Sequence, residues 1–369
     1  MTPLHLSISG RDQARLRAAA AIAALTALPV LSLAALPGAA HAAALRSPAL
    51  YAPRHDRQPQ TVNVAMSNSG FTLPAQVNAG FVTFATTTAD PTGHALQGFR
   101  LNAGVTQAKA LQDLKQATST TPSVSAAGIT AATKDITAVG GATVDPATPV
   151  QVTIPLTAGT YYFLDFNQLF TPGHQVTLQT MQVTGAFDSD TPAHDQEIVQ
   201  TTVNGRPRFT APSTLNTAGT FLISNQADEI HEAVFQRVNP GVTDTAVQTF
   251  FNAVGQNQKP TGNPFAEQGM RGAGGISPGR TELLHFSPPA GSYSLECFVP
   301  DDKTGVPHAF LGMHQVVALS AVNGPVGAGR GGGVRAGDTR ELALGAGLTA
   351  AAALLGGLAL LRRRAAAKA

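Results

Sequence analysis

The chain has 369 residues, of which 43% are hydrophobic and only 12% are charged. This apolar fraction excludes an intrinsically disordered chain, and the length allows about two domains. The single cysteine excludes an intramolecular disulfide framework and every zinc site that needs several cysteines. The net charge of +2 comes from the ends, because residues 1–17 carry +2 and residues 362–369 carry +4, which leaves −4 for residues 18–361. A nucleic-acid-binding protein is therefore not expected.

Both ends of the chain have the pattern of membrane-directed segments. Residues 1–42 combine arginines, a long apolar run and a small-x-small cleavage pattern, which predicts a secretory signal peptide or, since the run is long, an uncleaved anchor. Residues 342–361 are uncharged and are followed by three arginines, so a helix there would span a bilayer core of about 30 Å; a buried Ala/Leu helix is the alternative. With a Gly-rich tether at 323–341, we expect an exported, membrane-anchored cell-envelope protein.

The segment between the two ends contains an internal repeat with an offset of 132–138 residues. The order of the matching segments is conserved, and only small gaps separate them, which indicates two homologous domains at 60–186 and 196–322. The matching pairs are Phe-Thr-Leu-Pro at 71–74 with Phe-Thr-Ala-Pro at 209–212, Arg-Leu-Asn-Ala-Gly-Val-Thr at 100–106 with Arg-Val-Asn-Pro-Gly-Val-Thr at 237–243, and Gly-Thr-Tyr at 159–161 with Gly-Ser-Tyr at 291–293.

Each repeat alternates apolar and polar residues in short runs that Gly, Pro and Asn interrupt, a pattern typical of β-strands. After its Gly-Val-Thr, each repeat also has apolar residues at helical spacing, over 107–117 in the first and 245–254 in the second. The sequence therefore predicts an all-β fold of two tandem antiparallel β-sandwiches. Each sandwich carries a helical insertion, and a C-terminal transmembrane helix follows the second.

The second repeat holds residues with a defined metal chemistry. His231 follows a strand, Cys297 ends the penultimate predicted strand, and His308 and Met313 come after it. A thiolate, two imidazoles and a thioether form the ligand set of a type 1 copper site, since soft sulfur suits Cu(I) and imidazole suits Cu(II). The layout resembles the cupredoxin, or blue copper, family. In that family one His comes from a mid-sequence strand, and the Cys, second His and Met come from the loop between the last two strands.

The resemblance implies two tandem cupredoxin-like sandwiches, with one copper ion in the second. Ten residues separate Cys297 from His308, whereas loops of this family are usually shorter. Asp301, Asp302 and Gly305 indicate an inserted turn, which either preserves the site's geometry or opens it to solvent. A buried free cysteine with unrelated histidines is the structural alternative. If copper binds, the apolar segment 306–311 around His308 is a candidate electron portal and partner-binding face.

The first repeat keeps the frame but has Asp165 at the position of Cys297, which excludes a type 1 site there. His94 and His174 correspond to His231 and His308. The set His94, Asp165 and His174 predicts either a second, two-His-one-carboxylate metal site open to a substrate or a degenerate, structural domain.

Three functions are consistent with this sequence. The first is one-electron transfer with a small redox protein outside the cytoplasmic membrane. The second is a copper-dependent, superoxide dismutase-like oxidoreductase at the cell surface, for which an open metal position would be needed. The third is a structural or copper-storage protein that assembles with surface-layer or other envelope proteins. Multicopper oxidase and nitrite reductase chemistry is less favoured, because those families place an extra His beside the Cys and use His-x-His motifs, which this sequence lacks.

Overall fold

The computed structural model describes residues 58–171, 175–187 and 190–321, without the side chains of residues 267 and 268. The predicted signal peptide, tether and transmembrane segment lie outside the described residues, and so does His174. Within the described part of the chain, no helix is long and apolar enough to cross a membrane.

The strands of the first repeat bury alternate residues wherever one face meets solvent. In β1, for example, Val62, Val64 and Met66 are buried while the residues between them are exposed. In chain order the strands are β1 (Gln60–Met66), β2 (Gln76–Asn78), β3 (Gly80–Thr88), β4 (His94–Leu101), β5 (Ile136–Val144), β6 (Val150–Leu156), β7 (Gly159–Asp165) and β8 (Gln179–Thr184).

The second repeat has the same succession of strands, with one additional hairpin strand, β10. A left-handed Asn204-Gly205 turn connects β9 and β10, as expected for a two-residue hairpin loop. In chain order the strands are β9 (Gln196–Val203), β10 (Arg206–Thr210), β11 (Thr214–Asn216), β12 (Thr220–Asn225), β13 (His231–Val238), β14 (Phe265–Ile276), β15 (Thr281–Phe286), β16 (Gly291–Glu296) and β17 (His314–Ser320).

The described strands form two sheets, and each sheet contains strands of both repeats. The order is β1-β3-β6-β15-β12-β9-β10 in the first sheet and β11-β17-β16-β13-β14-β5-β4-β7-β8-β2 in the second. Outwards from the centre of the second sheet, β5-β4-β7-β8-β2 on one side mirrors β14-β13-β16-β17-β11 on the other. The repeats therefore join edge to edge through β5–β14 and β6–β15. The division into domains 60–186 and 196–322 stays a prediction.

One hydrophobic cluster lies between the two sheets and contains residues of both repeats. In the first repeat the rings of Phe84 and Phe163 pack with centroids 5.0 Å apart, and in the second Phe235 and Phe286 pack at 5.1 Å. This packing confirms the predicted all-β sandwich fold.

The sheets are mixed, which corrects the prediction of purely antiparallel sandwiches. Among the described strands, the parallel pairings are β1 with β3, β2 with β8, β9 with β12 and β11 with β17. Alternation of apolar and polar residues shows which face of a strand is buried. The same alternation occurs beside a parallel and an antiparallel neighbour, so the sequence pattern does not predict strand direction.

Helices α1 (Gln107–Ala117) and α3 (Asp244–Gly255) confirm the two predicted helical segments. Each begins after a threonine whose hydroxyl accepts a hydrogen bond from a first-turn amide: Thr106 from Lys109 and Thr243 from Ala246. Helix α2 (Pro122–Asp135) was not predicted, because its small residues lack an apolar stripe. Those small residues permit close packing on α1.

The Gly-rich segment 269–279 lies mostly within β14, at the junction of the repeats. A Cβ atom at Gly272 would lie 2.3 Å from the carbonyl oxygen of Ala233, so only glycine allows this strand spacing. The Gln97 side chain joins the two repeats, since its amide nitrogen donates to the Gly275 carbonyl (2.9 Å) and its oxygen accepts from the Gly275 amide (2.7 Å).

Candidate metal centre

Three adjacent strands deliver the four predicted ligands to one end of the larger sheet. His231 is the first residue of β13, and Cys297 directly follows β16, which pairs antiparallel with β13. His308 begins a short 3-10 helix, His308–Leu311, and Met313 directly precedes β17, the other neighbour of β16. Because antiparallel strands start and end at opposite edges, the start of β13, the end of β16 and the start of β17 meet.

Two imidazole nitrogens and the thiol sulfur form a small triangle. Nδ1 of His231 lies 3.0 Å from Nδ1 of His308, and the sulfur of Cys297 lies 3.7 Å from the former and 3.5 Å from the latter. A first-row transition metal binds imidazole nitrogen and thiolate sulfur at about 2.0–2.3 Å, which separates the donors of one coordination sphere by about 3.3–3.7 Å. The two nitrogen–sulfur edges fall within this range, and the nitrogen–nitrogen edge of 3.0 Å is shorter, so a bound metal ion would need only a small separation of the two imidazoles.

Met313 belongs to the same buried core as Cys297, and both side chains are fully buried. The backbone amide of Met313 donates to the carbonyl of His308 (2.9 Å), which ties the two residues together through one tight turn. The left-handed Gly312 closes this turn. The structure thus places all four predicted ligands in one buried region.

The ten residues between Cys297 and His308 form an ordered loop, as the predicted inserted turn requires. The carboxylate of Asp301 accepts hydrogen bonds from the amide and the hydroxyl of Thr304, both at 2.6 Å, and the amide of Gly305 donates to the Asp301 carbonyl. The amide of His308 then donates to the carbonyl of Val299 at 3.0 Å. These bonds return His308 to Cys297 despite the length of the loop.

This loop closes the site instead of opening it. Gly305 lies so close to α2 of the first repeat that a Cβ atom there would lie 1.9 Å from the carbonyl oxygen of Pro122. The hydroxyl of Thr130 on α2 donates to the Asp302 carbonyl (3.2 Å). His231, Cys297 and His308 are 0% exposed. The predicted portal around His308 is therefore wrong in one respect: His308 and Ala309 do not reach the surface.

Burial keeps the imidazole of His231 and the thiol of Cys297 uncharged in the free site. Burial and the adjacent His308 lower the pKa of His231 to about 3, so its imidazole is neutral at physiological pH. Burial also raises the pKa of the Cys297 thiol well above its ordinary value. A bound metal ion would have to displace the thiol proton, and this coupling makes metal affinity depend on pH.

Glu229 orients His308, and the sequence analysis missed it. The Nε2 atom of His308 lies 3.1 Å from the Glu229 carboxylate, which also accepts a hydrogen bond from the Asp302 amide (2.9 Å). A proton held on Nε2 leaves the Nδ1 lone pair free to face Cys297, as in the carboxylate–histidine pairs beside metal sites. In the sequence, only the position of Glu229, two residues before His231, could have indicated this role. Glu229, Asp301 and His308 also bring their ligand atoms within 4.8 Å of one another.

Glu232 is a second carboxylate that the sequence analysis missed. It accepts a hydrogen bond from the amide of Phe298, the residue after Cys297, at 2.8 Å. Burial raises the pKa of Glu232 to about 7, although this hydrogen bond acts in the opposite direction. The hydrogen bond connects the start of β13 to the end of β16 beside Cys297.

The first repeat brings two of its three predicted metal ligands together. Nδ1 of His94 lies 2.7 Å from the Asp165 carboxylate, whose other oxygen accepts from the amides of Ala95 and Asn167. Burial opposes protonation of His94, but its hydrogen bond to Asp165 and the charges of Asp165 and Asp90 raise its pKa. The described residues thus form a buried His–carboxylate pair. A metal site that includes His174 stays a prediction.

No protein-family model matches the chain, and no curated protein matches it significantly. Matching solved structures include auracyanin from the photosynthetic bacterium Roseiflexus castenholzii, in its dithionite-reduced form. It is 19% identical, covers 34% of this chain and 94% of its own, and has a TM-score of 0.22.

Two further solved structures match different shares of the chain. The McoA multicopper oxidase from Aquifex aeolicus is 10% identical over 71% of this chain and 65% of its own, with a TM-score of 0.21. Rusticyanin, described as a copper protein, is 15% identical over 34% of this chain and 76% of its own, with a TM-score of 0.18. TM-scores this low carry no argument about function, which has to come from the geometry of the site.

Proposed function

We propose that the second repeat binds one copper ion through His231, Cys297, His308 and Met313, and that the protein transfers single electrons. The observation that carries this proposal is the buried triangle of two Nδ1 atoms and one sulfur, with edges of 3.0, 3.5 and 3.7 Å. A copper ion bound there would cycle between Cu(I) and Cu(II).

The donor set favours copper over zinc. Structural zinc sites use four Cys or His ligands, and catalytic zinc sites keep a position for water. Here the fourth predicted donor is the thioether of Met313, a soft ligand that suits Cu(I). The triangle offers two imidazoles and one thiol, so a structural zinc site of four Cys or His ligands would lack its fourth ligand there.

The surrounding chain keeps the ligands in place and excludes water. The Glu229 carboxylate orients His308, the hydrogen bond from Phe298 to Glu232 fixes the chain beside Cys297, and α2 covers the loop. Rigid, buried ligands reorganise little when the charge of a bound ion changes, which favours rapid electron exchange. This closure supports electron transfer over superoxide removal, because superoxide would need an open coordination position.

The cellular setting is part of the same proposal. An exported protein with a C-terminal membrane anchor would hold the site outside the cytoplasm, where a small redox protein is the expected partner. The segments that carry these two predictions are residues 1–42 and 342–361.

The test is the visible absorption spectrum of the copper-loaded protein beside that of Cys297→Ser. We expect an intense blue or green thiolate-to-copper band that Cys297→Ser abolishes. The matched control is Asp165→Asn, which alters the corresponding position of the first repeat and should leave the band intact. A pale spectrum that Cys297→Ser does not change would refute the proposal.

A further inference from the structure

Six rings form an aromatic cluster on the outer side of the larger sheet, beneath α3. Phe251 lies at its centre, and its ring is almost fully buried. The members of the cluster are Phe250, Phe251, Phe265, Phe298, Phe310 and His314.

Phe251 contacts one ring from each of the three chain segments that carry Cys297, His308 and Met313. Phe298 directly follows Cys297, and its ring centroid lies 6.0 Å from that of Phe251. Phe310 follows His308 by two residues and lies at 4.9 Å. His314, which directly follows Met313, lies at 5.9 Å.

Further ring contacts connect Phe251 to the surface of the protein. Phe250 lies 5.8 Å from Phe251 and 5.4 Å from Phe265, and the rings of Phe250, Phe265 and Phe310 are only partly buried. The cluster thus extends from residues beside the predicted metal ligands to partly exposed rings at α3.

A second path for electrons from the site to the surface, through the imidazole of His308, is blocked. Its Nε2 atom faces Glu229, and the loop beyond it packs on α2. His314 is not available as a further ligand either, because its two ring nitrogens face Asp244 and Gln248 of α3.

We propose that Phe251 relays electrons between the copper centre and the surface of the protein at α3. This proposal rests on the proposed function. In each transfer the reduced site loses one electron and an external one-electron oxidant gains it, and no bond or proton is exchanged. Electron tunnelling decays steeply with the gap between packed atoms, so a continuous set of rings is the favoured path out of a closed site.

The first experiment measures oxidation of the reduced, copper-loaded full chain by hexacyanoferrate(III) in stopped flow. Phe251→Leu keeps an apolar side chain but removes the ring, and its rate should fall roughly tenfold, a change of ~1.4 kcal/mol in the effective barrier. The matched control is Phe84→Leu, which removes an equally buried ring from the first repeat. Its rate should stay at the wild-type value. A wild-type rate in Phe251→Leu overturns the relay.

Absorption and reduction potential separate the relay from a structural role. Both should be unchanged in Phe251→Leu, because the ring contacts no predicted ligand side chain in this cluster. A shifted band or potential would show that Phe251 shapes the site, which would also overturn the relay. If the wild type has no thiolate-to-copper band, the proposed function fails as a whole; an intact band with an unchanged rate removes only the relay.

A second measurement does not depend on turnover. The chain contains no tryptophan, so Phe251→Trp introduces a single indole at this position. Its emission should be quenched when Cu(II) is loaded and should recover on reduction, while the emission of Phe84→Trp stays nearly constant. Equal quenching at both positions, or none at position 251, contradicts a preferential path through Phe251.

Discussion

The two repeats place a histidine at corresponding strand starts, yet among the described residues only His231 lies in a group of three ligands that could hold a metal ion. In the first repeat, Nδ1 of His94 hydrogen-bonds directly to the Asp165 carboxylate at 2.7 Å. In the second repeat, Nδ1 of His231 lies 3.7 Å from the sulfur of Cys297. The Asp165 carboxylate already holds Nδ1 of His94 in a hydrogen bond, whereas the thiol of Cys297 and the neutral imidazole of His231 leave lone pairs available to a metal ion.

Strand register shows that these positions correspond. Leu96 pairs with Asp165 on β4 and β7, and Val234 pairs with Glu296 on β13 and β16. If the pairing of β13 with β16 continues by one residue, Cys297 lies opposite the residue two positions after His231. Asp165 likewise lies opposite Leu96, two positions after His94. At this shared backbone position, aspartate accompanies a His–carboxylate pair in the first repeat and cysteine accompanies a candidate metal-ligand triangle in the second.

The largest expected effect comes from replacing Cys297 of the second repeat by aspartate, the residue that the first repeat has at the corresponding position. Cys297→Asp removes the only thiolate and offers His231 a carboxylate partner, so the thiolate-to-copper band should vanish. Since loss of outer-shell residues alone costs 10–100-fold in metal affinity, loss of this ligand should cost about 100-fold or more. Titration with a copper chelator measures it. A Cys297→Asp protein that keeps wild-type copper affinity would contradict the comparison.

The next effect concerns the loop between Cys297 and His308. We expect this loop to keep its conformation only with glycine at position 305. Gly305→Ala should destabilise the fold by ~3 kcal/mol, because a Cβ atom would clash with Pro122 of α2 and the backbone is left-handed. Gly279→Ala is the matched control, since its backbone is equally left-handed but nothing lies within 4 Å; it should cost only ~1 kcal/mol. Denaturant unfolding compares the two. Equal losses would mean that contact with α2 contributes nothing.

A smaller effect is expected at Glu229. Glu229→Ala removes the partner of His308 and should weaken copper binding by about tenfold, at the lower end of the range for such residues. Glu229→Gln, which keeps an acceptor oxygen, should lose less. Asp90 is a carboxylate beside a histidine in the first repeat, 3.7 Å from Nε2 of His94, and Asp90→Asn should leave copper affinity unchanged. A loss in Asp90→Asn as large as that in Glu229→Ala would show that the repeats are coupled rather than distinct.

The smallest effect lies at the junction of the repeats. Burial raises the pKa of Glu282 well above its ordinary value of 4.5, whereas the 132-residue offset places the apolar Val150 at the corresponding position. Because the unfolded chain loses this proton near pH 4.5 and the folded chain keeps it, stability falls as pH rises above that value. Glu282→Gln should therefore be more stable than the wild type at pH 5.5 and gain nothing below pH 4. Unfolding at both pH values tests this, and a pH-independent difference would contradict it.

The sequence predicted those parts of the molecule that local patterns encode. The span of α1 and the order of Cys297, His308 and Met313 follow from spacing within one chain segment. The closure of the site could not be predicted, because it depends on contacts between residues more than 150 positions apart, such as Thr130 with Asp302. Helix α2 was missed for a related reason: its small residues pack closely on α1 and carry no amphipathic stripe.

The junction between the repeats has a consequence for any attempt to shorten the protein. Strands β14 and β15 are hydrogen-bonded to β5 and β6, so residues 196–321 expressed alone would present two open sheet edges. Open edges recruit other strands and promote aggregation. A fragment that keeps all four predicted ligands would therefore need charged or proline-bearing replacements along β14 and β15 to stay soluble.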